Sequence, residues 1–242
     1  MEASYDFILV ALSFVISVLG SFTALRLATR LPSLPKEKLW PWLLAAAGAL
    51  GGCAIWSMHF IAMLAYQTSM PVTYDLLLTV LSAILAVAVS GAGLFIMGRG
   101  KTGLGRLSFA ALLTGLGVAA MHYTGMAAMQ MPADLKYDST LVLASLAIAV
   151  VAAAAALWLA FNLRGNWQRF GSALVMGIAV CGMHYTGMAA VTMIPNAAKA
   201  VPSGGVGANA LAITIFAIAV VLMIAGLVAS TKPVQEDLVF EI

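Results

Sequence analysis

Charge is what this 242-residue chain has least of: 9% of its residues are Asp, Glu, Lys or Arg, 63% are hydrophobic, and the mean hydropathy is +1.03. So little polar surface cannot cover a water-soluble globule of this length, which excludes a soluble domain. Cysteine is nearly absent, and both copies, Cys53 and Cys181, fall inside apolar runs. That excludes a disulfide framework and leaves two small buried residues or occasional soft ligands. Histidine is limited to three. The net charge of +3 is too small and too one-sided to mark a nucleic-acid partner.

What the chain does have is apolar sequence, in seven runs that each reach the roughly 20 residues needed to cross a bilayer as helix. They extend over Asp6 to Ala28, Pro41 to Ala65, Tyr74 to Met97, Leu107 to Gln130, Thr140 to Asn162, Phe170 to Met193 and Asn209 to Ser230. Runs this long and continuous do not suit tilted barrel strands, so the expected fold class is all-α, a polytopic membrane protein of seven transmembrane helices. The first run lacks a basic start and a cleavage site and reads as a retained helix. Ten of the 12 basic residues (Arg26, Arg30, Lys36, Lys38, Arg99, Lys101, Arg106, Arg164, Arg169 and Lys232) share one side, and only Lys136 and Lys199 take the other. By the positive-inside rule the N-terminus is outside and the C-terminus cytoplasmic.

One string occurs twice almost unchanged, Met121-His122-Tyr123-Thr124-Gly125-Met126 and Met183-His184-Tyr185-Thr186-Gly187-Met188, with a weaker copy at Met58-His59-Phe60-Ile61-Ala62-Met63. The three copies use every histidine, at separations of 63 and 62 residues, as an internal duplication would place them. The first, third and fifth helices open on Tyr5-Asp6, Tyr74-Asp75 and Tyr137-Asp138, each with a serine seven residues after the aspartate (Ser13, Ser82, Ser145). The repeat is therefore a hairpin, expected over about residues 5–66, 74–131 and 137–194, and the three run parallel. The helix at 209–230 stands outside them within a membrane domain spanning 1–230, and 231–242 forms a cytoplasmic tail suited to a connector. The aspartates read as N-caps and the tyrosines as an aromatic belt.

Seven residues before each histidine stands a glycine, Gly52, Gly115 and Gly177, and eleven before stand Gly48, Ala111 and Ala173. At about 100° per residue these share the histidine face, so the expectation is three even-numbered helices closed against one another through small residues. Four residues after each histidine come Met63, Met126 and Met188, on that face. His122 and His184 lie eight or nine residues before the ends of their runs at Gln130 and Met193, roughly 12 to 14 Å below the outer surface, and the helices can stop by Pro71, Pro132 and Pro195.

An ionisable residue inside a bilayer is a site hypothesis by default. Neutral imidazole is a common metal ligand and thioether a soft one, so His59, His122 and His184 with Met63, Met126 and Met188 point to copper ahead of zinc. Haem on two of the histidines is a weaker reading. Tyr123 and Tyr185, one position round the helix, and Met58, Met121 and Met183 on the other side, are candidates for the surrounding shell. Packing alone is the competing account, since Met, Ala and Gly at helical spacing are ordinary in membrane bundles.

These residues resemble the MHYT family of bacterial integral membrane sensor domains, the likeness running from Tyr5-Asp6 through the sixth helix. The resemblance implies a copper-binding sensor of oxygen, carbon monoxide or nitric oxide, coupled to a cytoplasmic signalling module such as one that makes or degrades cyclic di-GMP. It carries the ligand role to Met58, His59 and Met63, Met121, His122 and Met126, and Met183, His184 and Met188. The first copy departs at Phe60, Ile61 and Ala62, so a tyrosine or threonine role does not extend to it. Beside this sensory reading stand a copper or small-solute transporter and, last, an enzyme. No carboxylate accompanies the histidines inside the membrane to handle protons, so no catalysis is expected.

Overall fold

The computed structural model describes residues 4–99, 103–162, 165–196, 198–199 and 204–231. Lys101, Arg164, Pro202, Ser203, Lys232 and the rest of the tail lie outside the described residues. The helices are α1 (Phe7–Ala28), α2 (Lys36–Ala47), α3 (Met58–Ala65), α4 (Leu76–Gly98), α5 (Leu104–Ala127), α6 (Ser139–Asn162), α7 (Asn166–Ala189) and α8 (Ala208–Thr231). A π-helical segment, Gly48–Ser57, joins α2 to α3 in one continuous span. That gives seven spans long and apolar enough to cross a membrane. Large apolar side chains such as Phe109, Val151, Ile213 and Val221 point outward, as lipid-facing surface requires.

The aspartates cap as expected. Asp6 accepts the amides of Ile8 and Leu9, Asp75 that of Leu78, and Asp138 those of Thr140 and Leu141, at 2.8 to 3.2 Å. Their own amides do something the sequence does not announce. Asp6 N–H donates to the Ala65 carbonyl, Asp75 to Ala128 and Asp138 to Ala190, each at 2.8 Å. Each such bond pins the start of one span to the end of the next.

Around these bonds the chain forms short antiparallel ribbons, an addition to the all-α bundle that the sequence did not predict. The strands are β1 (Ser4–Tyr5), β2 (Tyr66–Gln67), β3 (Thr73–Tyr74), β4 (Met129–Gln130), β5 (Ala133–Tyr137), β6 (Val191–Pro195) and β7 (Val206–Gly207). They pair as β1 with β2, β3 with both β4 and β7, and β5 with β6. The histidine helices therefore end at Ala65, Ala127 and Ala189, short of Gln130 and Met193 and well before Pro71, Pro132 and Pro195. Ribbon pairing, and not proline, ends them. The histidines lie five or six residues inside those ends, or about 8 to 9 Å at 1.5 Å per residue, shallower than expected. At the other end the second span begins at Lys36, five residues before Pro41, and carries that proline within α2.

Six spans close into a ring. α4, α5, α6 and α7 pack in chain order, α7 packs on α1, and the second span packs between α1 and α4. α8 lies outside, against α1 and the second span. The second span is the most enclosed, with 89% of its apolar window buried against 22% for α6 and for α8. Glycines permit this: a Cβ on Gly20 would stand 2.6 Å from Ala54 N, and one on Gly51 would strike the Ala86 backbone. Helix backbones approach closely in membranes where side chains are this small.

Gly52, Gly115 and Gly177 do pack helices, but not against one another. Gly52 receives Leu222 of α8, Gly115 the Val150 backbone of α6, and Gly177 Val18 and Phe14 of α1. In the second span the π-helical turn also breaks the 100° step on which a shared face with His59 depends.

Candidate metal centre

His59 on α3, His122 on α5 and His184 on α7 meet at the centre of the ring, each no more than 1% exposed. His59 Nδ1 stands 3.0 Å from His184 Nδ1 and 3.1 Å from His122 Nδ1. The rings are nearly perpendicular in every pairing, with centroids 4.9 to 5.1 Å apart. The donor atoms of all three lie within 4.8 Å of one another.

The three Nε2 atoms are buried with no hydrogen-bond partner. His59 Nε2 is pressed against Gly125 and His122 Nε2 against Gly187, so closely that a Cβ on either glycine would overlap the imidazole. This is the function of the glycine three residues after the histidine, and sequence reasoning missed it although the motif displayed it twice. A neutral imidazole carries one proton. With those protons on Nε2, the three Nδ1 atoms are left as acceptors able to bind a metal. Two nitrogens each about 2.0 Å from a shared ion stand roughly 3.3 Å apart at the tetrahedral angle, close to the separations here. The residues present fit a small metal ion bound through Nδ1.

Met63, Met126 and Met188 are buried one turn from the histidines, toward the ribbons. Met58, Met121 and Met183 are buried as well. The aromatic residue after each histidine lies edge-on to it: Phe60 at 4.9 Å, Tyr123 at 4.8 Å and Tyr185 at 5.0 Å. The tyrosine hydroxyls reach away from the triad, Tyr123 to Ser145 at 2.7 Å and Tyr185 to Ser13 at 3.4 Å. Phe60 has no hydroxyl, and Trp56 supplies the equivalent bond to Ser82 at 3.0 Å. A second wheel lies outside the first, with Tyr74 on Phe60, Tyr137 on Tyr123 and Tyr5 on Tyr185, at 5.7 to 6.0 Å. The last pair joins the chain's beginning to its third motif and closes the ring. Of the Tyr-Asp tyrosines Tyr74 is buried, Tyr5 half-buried and Tyr137 exposed, so only Tyr74 departs fully from the expected belt. Burial pushes the phenols of Tyr5 and Tyr74 up to about 12, so both stay neutral.

On the side of the triad away from the ribbons there is no closed glycine floor. An apolar cavity of about 40 Å³ lies there instead. Leu25, Leu94 and Leu157 line it, each 19 residues after the capping aspartate of its helix, together with Val118, Ala153 and Met183. Cys53 is apart from the triad, its thiol directed at the Ala219 carbonyl on α8 at 3.7 Å.

Three segments, residues 52–110, 115–173 and 177–237, match the MHYT family, described as a bacterial signalling protein N-terminal repeat. They begin at Gly52, Gly115 and Gly177, so this frame joins each histidine span to the span that follows, and the third segment takes in α8. In space the helix that follows α7 around the ring is α1. The chain is 42% identical over 232 residues, 92% of its length, to the bifunctional diguanylate cyclase/cyclic di-GMP phosphodiesterase MucR of Pseudomonas aeruginosa. It is 39% identical over 199 residues, 79% of its length, to the cyclic di-GMP phosphodiesterase NbdA of the same organism. To the signaling protein YkoW of Bacillus subtilis it is 32% identical over 203 residues, again 79% of its length. It spans only 34%, 25% and 25% of those relatives, so their activities as whole proteins are not thereby its own. No solved structure matches it. With three motif-bearing repeats matched over most of its length, this chain belongs to the MHYT family of bacterial membrane signalling domains.

Proposed function

We propose that the chain is a membrane sensory domain in which His59, His122 and His184 hold one copper ion through Nδ1. Met63, Met126 and Met188 are the soft donors nearest to them, and Tyr123 and Tyr185 hold the imidazole planes. The observation that carries this reading is the buried His59 Nδ1 standing 3.0 Å from His184 Nδ1 and 3.1 Å from His122 Nδ1, with donor atoms of all three histidines within 4.8 Å of one another. No carboxylate joins the triad among the described residues. A wholly neutral donor set in a buried place suits a monovalent soft ion better than zinc, because an uncompensated divalent charge there is costly. Haem is disfavoured, since two axial nitrogens on one iron stand about 4 Å apart with a porphyrin between them.

Bound copper supplies a Lewis-acid centre able to take O2, CO or NO. The dry apolar cavity beside Met183 gives such a molecule room, because cavities of this kind hold small apolar solutes and exclude water. Occupancy then changes the balance between two packings of the ring. The second span bears His59 and supports α8, and at the far end Arg30 donates to the Ser230 carbonyl of α8 at 2.6 Å. That is the route by which a shift at the triad reaches a cytoplasmic partner, and the names of MucR and NbdA favour a partner in cyclic-di-GMP turnover. The three hairpins run parallel about an axis near the membrane normal, with the ribbons outside the inner membrane and all the basic residues except Lys136 and Lys199 in the cytoplasm. Infrared spectroscopy of the reduced, copper-loaded protein under CO tests this: a copper carbonyl band that the H122A variant lacks is expected, and no band in the native protein contradicts it.

A further inference from the structure

The ribbon end carries an open pocket of about 260 Å³ that neither the motif nor the triad requires. Four of the chain's 14 methionines line it, Met63 from α3, Met70 from the loop after β2, Met129 from β4 and Met131 just beyond. They come from two stretches of sequence, Met63 with Met70 and Met129 with Met131, brought together by the pairing of β3 with β4. Met70 and Met129 are half-exposed, while Met131 and Met63 are buried. None of the residues lining the pocket is charged.

We infer that this pocket is a second soft-cation site, through which Cu(I) passes from the ribbon side to the histidines. Thioethers bind Cu(I) and Ag(I) and have little affinity for hard divalent ions, and the uncharged lining offers those ions nothing. Tyr66, Gln67 and Thr68 line the pocket with the four methionines, and Met63, the most buried of the four, lies on the helix that carries His59. Met63 follows His59 by four residues on one helix, so it stands about 6 Å along the axis from the triad. The same methionine therefore belongs to both sites. Packing alone does not require sulfur at half-exposed Met70 and Met129, where leucine fills nearly the same volume.

The direction of travel rests on the proposed copper site, but the pocket can be tested without it. Ag(I) is titrated into protein in lipid nanodiscs carrying H59A, H122A and H184A, with C53A and C181A removing the two free thiols that would otherwise take silver. One silver ion per chain is expected, with affinity at least about tenfold weaker once M70L, M129L and M131L are added, since leucine keeps volume and removes the ligand. Silver that never binds, or binds equally after the methionine changes, overturns the inference. With the histidines restored, the methionine changes should slow histidine-dependent Cu(I) loading about tenfold and leave the final histidine-bound copper unchanged. An unaltered rate overturns the entry role. Copper that never reaches the histidines of the native protein overturns the proposed function and the entry role together, while the silver arm still decides the pocket.

Discussion

Trp56 donates its indole N–H to Ser82 Oγ at 3.0 Å, in the place where Tyr123 bonds Ser145 at 2.7 Å one repeat later. The first repeat has lost the tyrosine hydroxyl at Phe60 and makes the bond from three residues before its histidine. W56F removes that donor from a fully buried serine, and a loss of about 1 to 2 kcal/mol in unfolding stability is expected. Adding F60Y returns a hydroxyl to the repeat-equivalent position, and the double variant should recover part of the loss in the same detergent unfolding measurement.

The glycines against the imidazoles make a second prediction. G125A and G187A each place a Cβ where a neighbouring histidine ring lies. Each should weaken metal binding about 10- to 100-fold, the range found for residues that orient ligands. A Cβ on Gly182, one helical turn away on α7, meets nothing. G182A should therefore leave the metal affinity unchanged in the same competition titration.

The apolar cavity makes a third. A153L fills space beside Leu157 without touching a histidine. CO rebinding after photolysis of the copper-loaded protein should slow about tenfold, with copper content unchanged, if the ligand uses this dry space.

The ribbon end titrates in a definite direction. The Lys199 ammonium, 2.8 Å from Asp134, and the Asn196 amide at 2.7 Å hold the Asp134 carboxyl below the usual carboxylate range. A depressed value means the pairing contributes above the unfolded value of about 3.9 and is lost as pH falls through the folded one. Carboxyl NMR of the K199M variant should show Asp134 titrating closer to its ordinary value.

The spans, the caps and the meeting of the histidines were legible in the sequence because each is local or periodic. An apolar run of fixed length, an aspartate before it and a histidine on each alternate helix carry their own evidence. Partner choice was not legible. Gly52, Gly115 and Gly177 announced close packing, but which helix each receives depends on how the ring closes. The ribbons escaped for a related reason: β5 and β6 pair residues nearly 60 apart, and Val191–Pro195 reads as the end of an apolar run. The π-helical turn before His59 had no signal beyond a surplus of glycine, and the pairing of Tyr5 with Tyr185 joins residues 180 apart.

Copper K-edge X-ray absorption, calibrated for stoichiometry, on protein purified without chelators tests most directly whether His59, His122 and His184 hold copper through Nδ1. About one copper per chain is expected in a shell of about three imidazole nitrogens with a sulfur contribution, and its loss in H59A, H122A and H184A. Protein that takes up no copper on reconstitution, or that keeps the same copper shell without its histidines, would contradict it.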